Sequence, residues 1–285
     1  MPKSKKHYVI EHIFDKLFDT ATATLQRTIV SADDIQEAKR AVNKLHNLGI
    51  KENSNPFNFM KDIVRGKRAL AMWPESVRSK GYVGEQRTGG GAVFEFVPLT
   101  DSGETGFEDL FAPSAATPRF HVQSLSISRA SKSLGRRDES WLLQVSVNLR
   151  IVETHLAVGN DKQIDATEVS HLQMDIKLRK VQIDALFLAH FRSEHGDSAA
   201  IITVEAKQQN QRILTEQVGR QVRAAFEATE AELVIPLALA STNEGIYVVE
   251  FKAVPRSALK GFLAPAFHRE ALYLLEPPVR GIQTA

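Results

Sequence analysis

Glu205, Ala206 and Lys207 close an apolar run, IITVEAK, that begins at Ile201. On an extended strand, side chains two residues apart share a face, so this carboxylate and ammonium point together. Upstream, VQIDALFLAHF from Val181 to Phe191 is an apolar run broken by one acid, Asp184. The intervening RSEHGDS has turn composition and suits an antiparallel hairpin that brings Asp184 within reach of Glu205 and Lys207. Two converging carboxylates repel each other and need a cation, and hard oxygen ligands select Mg²⁺ or Mn²⁺. Such an ion polarises a phosphoryl oxygen and acidifies a bound water, which a neighbouring lysine can orient or deprotonate. Phosphodiester hydrolysis needs those three things together. Taken singly, each of the three residues fits a solvated strand end equally well, and Asp184 could lie on an exposed face or pair with a lysine.

The order of these parts is Ile183-Asp184 on one expected strand, Glu205-Ala206-Lys207 on the next, and then the amphipathic segment ILTEQVGRQVRAAF. It resembles the PD-(D/E)xK nuclease superfamily, most of all its type II restriction endonucleases. Ile183 stands where the motif has proline, and the likeness spans about 172–255. The resemblance implies that Asp184, Glu205 and the Ala206 carbonyl hold the metal while Lys207 assists the attacking water. It also implies a homodimer cutting double-stranded DNA at a short site, and a cognate DNA methyltransferase as a functional partner. A further acid from an upstream segment often completes such sites, and Glu108 and Glu168 are candidates. A repair or junction nuclease would share these residues but read DNA shape. A non-catalytic DNA-binding module would carry them as surface groups.

The helix expected after the motif has an apolar stripe of Leu214, Val218, Val222 and Ala225, with Gln221 inside it and Gln217 at its edge. A buried amide must find a partner. A catalytic centre built on the preceding strand would offer one, and so would backbone. Contacts to DNA call for Lys and Arg on phosphates and for Arg, Lys, Asn or Gln at base edges. Arg78, Lys80, Gln86 and Arg87 surround a glycine-rich segment at 81–91. Arg129, Lys132, Arg136 and Arg137 fall in a basic turn between two alternating segments, HVQSLSIS and WLLQVSVNLRIVE, which read as strands.

Around these residues, the pattern divides the chain. Residues 1–75 read as a helical region serving recognition, dimerisation or cover. Ser31 and Asp34 form a capping-box signal before Ile35, Ala38, Val42 and Leu45, with Gly49 as the stop. Asn55-Pro56 opens a second helix with Phe57, Met60, Ile63 and Val64, ended by Gly66. Residues 76–285 are richer in strand signals and contain the catalytic core. The fold class expected is α/β (α+β), a mixed central sheet flanked by helices.

Composition narrows the chemistry. The 285 residues carry 36 Lys and Arg against 34 acids, a net charge of +2, too balanced to announce a nucleic-acid partner by itself. Without cysteine there is no disulfide, thiolate metal site or thiol nucleophile. No HExxH or GxSxG occurs, and GEQRTGGG lacks the lysine and hydroxyl of a Walker loop. No apolar run approaches the ~18 residues of a membrane span. A soluble, cytoplasmic protein is expected.

Overall fold

In a computed structural model of the chain, described for residues 4–65, 73–86, 91–99, 111–179, 181–194, 196–209, 211–262 and 264–283, two compact units are present. The first comprises Met1–Asp109 with Asn210–Arg212, the second Leu110–Gln209 with Ile213–Ala285. The division therefore falls near 109, and the expected boundary at 75 is corrected. The reason lies in pairing. Strand β5 (Ala92–Pro98) runs antiparallel to both β3 (Ile29–Ser31) and β4 (Tyr82–Gln86), and its Val93, Phe94 and Phe96 share one core with the N-terminal helices.

Those helices are α1 (Lys5–Leu17), α2 (Ala32–His46), α3 (Pro56–Arg65) and the short α4 (Glu75–Arg78), with a two-stranded ribbon of β1 (Phe18–Asp19) and β2 (Thr24–Leu25). The capping box at α2 forms as expected. Ser31 Oγ accepts from Asp34 N, and the Asp34 carboxylate accepts from Ser31 N–H at 2.8 Å. Helix α2 stops at Asn47, in the left-handed region at φ 49°, earlier than Gly49, and Leu45 is 67% exposed instead of lining the stripe. Asn55-Pro56 opens α3, which buries Met60 and Ile63. Its expected stop, Gly66, lies outside the described residues, as does the side chain of Val64.

The second unit is built on an eight-stranded mixed sheet. Its main path runs β6 (Arg119–Gln123), β13 (Phe267–Glu276), β11 (Ile246–Phe251), β10 (Leu233–Ser241), β9 (Gly196–Lys207), β8 (Val181–Ser193) and β7 (Asp165–Leu178), and β12 (Val254–Pro255) pairs with β10. β9 and β10 are parallel and joined through α8 (Thr215–Ala228), a strand–helix–strand crossover. Helices flank both faces, which is the mixed α and β class the pattern predicts. Consequently β11, IYVVEF, is buried at every position.

One face of the sheet is covered by α6 (Glu139–Asn148) and α7 (Ile151–Ala157), which follow the short α5 (Arg129–Leu134). This corrects the expected strand at WLLQVSVNLRIVE. Its alternating valines imitate a strand, but Leu142, Val145 and Leu149 also fall at helical spacing, and that face is the one buried beneath the sheet. Asp138 caps α6, its Oδ1 accepting from Trp141 N at 2.8 Å. The predicted hairpin around the basic turn is likewise absent, because β6 is short and pairs in parallel with β13. On the other face lies α8, closed at its C-terminus by Arg256, which donates to Phe226 O, Thr229 O and Ala231 O at 3.1, 2.5 and 2.8 Å. No helix among the described residues is long and apolar enough to cross a membrane.

Candidate active site

The β8–β9 hairpin forms as the turn signal predicts, in antiparallel register from Ser193 with Gly196 down to Ala185 with Val204. One step further along would set Asp184 against Glu205. There the ladder stops on the β8 side, while β9 continues beside β10 as far as Lys207 with Ala240. The sheet thus opens on one side only, at the motif. Ile183 packs in the cluster beneath α8, whereas Ala185, two residues on, packs beneath α6 and α7. Alternation is broken at Asp184, and its Oδ2 accepts the Ala206 N–H at 2.7 Å in place of a ladder bond.

Glu205 and Lys207 share the face covered by α8, as their spacing requires. Glu205 is 1% exposed, and both of its oxygens are engaged: Oε1 accepts from Lys207 Nζ and Oε2 from Gln221 Nε2. Lys207 is 4% exposed. Gln221, wholly buried, also donates to Gln182 O at 3.3 Å. The amide inside the apolar stripe therefore meets the carboxylate of the motif. Its Oε1, together with Oε1 of Gln217 one turn earlier, is buried without a hydrogen-bond partner among the described residues.

Asp184 is half-buried. Burial, and then the charge of Glu205, push its carboxyl up to about 7, against the Ala206 N–H and Lys207, which pull it down. Glu139, in the first turn of α6, adds a smaller push. Sequence reasoning did not single out this acid. The available signal was the helix start itself, Asp138 as cap followed by Glu139, hidden by the misread strand. Glu168 is not near: it pairs with His190, six positions along β8 from Asp184, about 20 Å away at strand rise. Glu108 lies outside the described residues.

These donors suit a hard cation. They comprise the Asp184 and Glu205 carboxylates and the Ala206 carbonyl, beside orphaned amide oxygens and with no sulfur or imidazole. No group of three or more His, Asp or Glu that could hold a metal occurs among the described residues. An ion here would rest on two carboxylates, with water and substrate phosphate completing its shell, which is the habit of Mg²⁺.

The residues expected to touch DNA separate into two groups. Gln86 is 7% exposed within β4, which corrects its assignment, since a side chain held in a core cannot enter a groove. Arg78 lies 3.4 Å from Glu75, and the Lys80 ammonium sits over the rings of Phe14 and Phe18 at 5.3 and 4.5 Å. Arg87 lies outside the described residues. In the second unit, Lys132 donates to Ser124 Oγ at 2.8 Å, and Arg129, Arg136 and Arg137 are exposed on α5 and the segment leading into α6, not on a hairpin turn.

No protein-family model matches the chain, and a comparison with curated proteins finds no match.

Proposed function

We propose that the protein is a Mg²⁺-dependent endonuclease that hydrolyses phosphodiester bonds of double-stranded DNA, in the manner of a type II restriction endonuclease. The observation that carries this reading is the Asp184–Ala206 bond, which fixes a half-exposed carboxylate beside a buried Glu–Lys pair at the one-sided opening of the sheet. In this reading Asp184, Glu205 and the Ala206 carbonyl hold the ion, which supplies Lewis acidity toward the phosphate and an acidified water. Lys207 orients that water or takes its proton, and stabilises the charge that grows on phosphorus oxygens. Gln221 positions Glu205. Glu139 offers the additional acid on the α6 side. Cutting both strands requires two such centres, and a second copy of the chain would supply the other. A cognate DNA methyltransferase would be its functional counterpart.

A repair or junction nuclease would use the same centre and would leave nicks instead of discrete fragments. A non-catalytic reading draws on a different observation: both Glu205 oxygens are already satisfied within the protein, which suits a structural ion pair. Plasmid cleavage separates these. Incubation with Mg²⁺ should give discrete fragments and EDTA should abolish them, while Asp184→Ala should stop cutting and leave DNA binding within about threefold. No Mg²⁺-dependent cutting by the wild type, or full cutting by Asp184→Ala, removes the proposal.

A further inference from the structure

The segment before α6 and the C-terminal segment meet closely. A Cβ on Gly135 would lie 2.3 Å from Arg280 O, and one on Gly281, at φ +87°, would lie 2.3 Å from Arg136 O. Only glycine allows that approach. Trp141 Nε1 fastens the junction by donating to Arg280 O at 2.9 Å. Beside it opens a cavity of about 810 Å³ lined by Arg136, Arg137, Arg280, Gln283 and the two glycines with Pro278. Cavities of this order hold ligands.

Its chemistry is one-sided. Three arginines line it, and no acid does. Of the acids within two residues of the lining, Asp138 caps α6 and Glu276 accepts from His121 Nδ1 at 2.7 Å, while Glu139 opens α6 outside the lining. Among the described residues none of the three arginines forms an ion pair, and the Arg280 side chain makes one hydrogen bond, from Nη1 to Ser133 O at 2.9 Å. With no aromatic ring in the lining, the cavity has no stacking platform for a base, so guanidiniums and backbone select phosphate. Arg137 precedes Glu139 by two residues, at most about 7 Å of chain, and Glu139 opens α6, which packs on β8 and β9, the two strands that carry Asp184 and Glu205.

We propose that this cavity seats a backbone phosphate of duplex DNA neighbouring the scissile one, with Arg136, Arg137 and Arg280 as its cations. The location of the scissile bond rests on the nuclease reading; the phosphate seat itself does not. Arg280, remote in sequence from the other two, completes the site.

The test is binding of a short fluorescent duplex in EDTA, titrated with salt, for the wild type, Arg280→Gln and the double variant Arg136→Gln/Arg137→Gln. Each lost phosphate contact should lower the slope of log affinity against log salt by about one and weaken binding about tenfold for every sequence. Thermal denaturation should stay unchanged, since at most one surface hydrogen bond is removed. Variants that bind and titrate like a wild type that cuts plasmid overturn the phosphate seat alone. A wild type that binds with an arginine-dependent slope but leaves plasmid uncut supports the seat and sinks only the nuclease reading. Inorganic phosphate bound by the wild type and not by Arg280→Gln, with duplex affinity unaltered, marks a free-anion site and overturns the proposal.

Discussion

Asp184 and Ala206 are joined across two strands by a side-chain-to-backbone hydrogen bond of 2.7 Å, at the point where the β8–β9 ladder ends. A strand would ordinarily satisfy that N–H with a carbonyl. Using a carboxylate instead places an acid in a half-buried position beside Glu205, and burial first, then the Glu205 charge, raise the Asp184 carboxyl. The folded protein holds this proton up to about pH 7, whereas the unfolded chain releases it near 3.8. Between those values the native state binds more protons, so stability of the metal-free protein falls as pH rises through the window.

Asp184→Asn keeps the acceptor for Ala206 and removes the charge. In EDTA at pH 8 it should be more stable than the wild type by about 2 kcal/mol, a fraction of the full shift because the group is only partly buried. Near pH 4 the two proteins should converge. Urea denaturation across pH checks this. Parallel curves for the two proteins would mean that the carboxylate is not under strain.

Lys207 neutralises a carboxylate that has almost no access to water. Lys207→Met should therefore cost about 3–5 kcal/mol, because it leaves Glu205 charged and buried without its partner. Millimolar Mg²⁺ should return part of that loss in the variant and move the wild type less, since the ion takes over the role of the ammonium. Thermal denaturation with and without Mg²⁺ is the measurement. A variant as stable as the wild type and indifferent to Mg²⁺ would show the pair to be unconnected with cation binding.

Much of this centre was legible in the residues. RSEHGDS between two apolar runs dictates a hairpin, and antiparallel pairing then leaves little freedom in where Asp184 meets Glu205. Gln221 was legible because a polar residue inside a helical stripe needs a partner. What misled was valine. In WLLQVSVNLRIVE the β-branched residues alternate, yet helical packing beneath the sheet prevailed over propensity, and Glu139 was lost with the misread element. Gln86 misled for a related reason. A glycine-rich neighbourhood suggests a loop, but β4 pairs along its whole length with β5 and draws the glutamine into the core. Arg280 carried no local signal at all, because its meeting with Arg136 depends on long-range packing at two glycines.

Gln221→Leu isolates the positioning role. Glu205 Oε2 then loses its donor inside the core, which should cost about 1–3 kcal/mol. If the proposed nuclease activity is present, cutting should slow while DNA affinity is retained, because the amide bonds to the Glu205 carboxylate, and a higher Mg²⁺ concentration should be needed for half-maximal rate. A loss of rate with an unchanged Mg²⁺ requirement would place the effect elsewhere.

The last prediction concerns the far side of the sheet, where Glu250 is fully buried within a network of its own. Gln163 Nε2 donates to its Oε1 at 2.7 Å and Arg269 Nε to its Oε2 at 2.6 Å, while His155 Nε2 lies 3.1 Å from the same oxygen. Arg269 also donates to His155 O and Val158 O, at 2.8 and 2.9 Å, tying the end of α7 to β11 and β13. Burial pushes the Glu250 carboxyl up, but the contacts from His155, Gln163 and Arg269 together outweigh it and hold it at about 2, below the 4.5 of the unfolded chain. The sign is opposite to that of Asp184. Stability from Glu250 is complete above pH 4.5 and is lost as pH falls toward 2, by about 2–3 kcal/mol. Glu250→Gln should lose about 3–5 kcal/mol at pH 7, since Arg269 is left without its acid, and should show a shallower decline between pH 5 and pH 2. Acid titration followed by circular dichroism measures both. Equal slopes for variant and wild type would show that Glu250 does not govern acid unfolding.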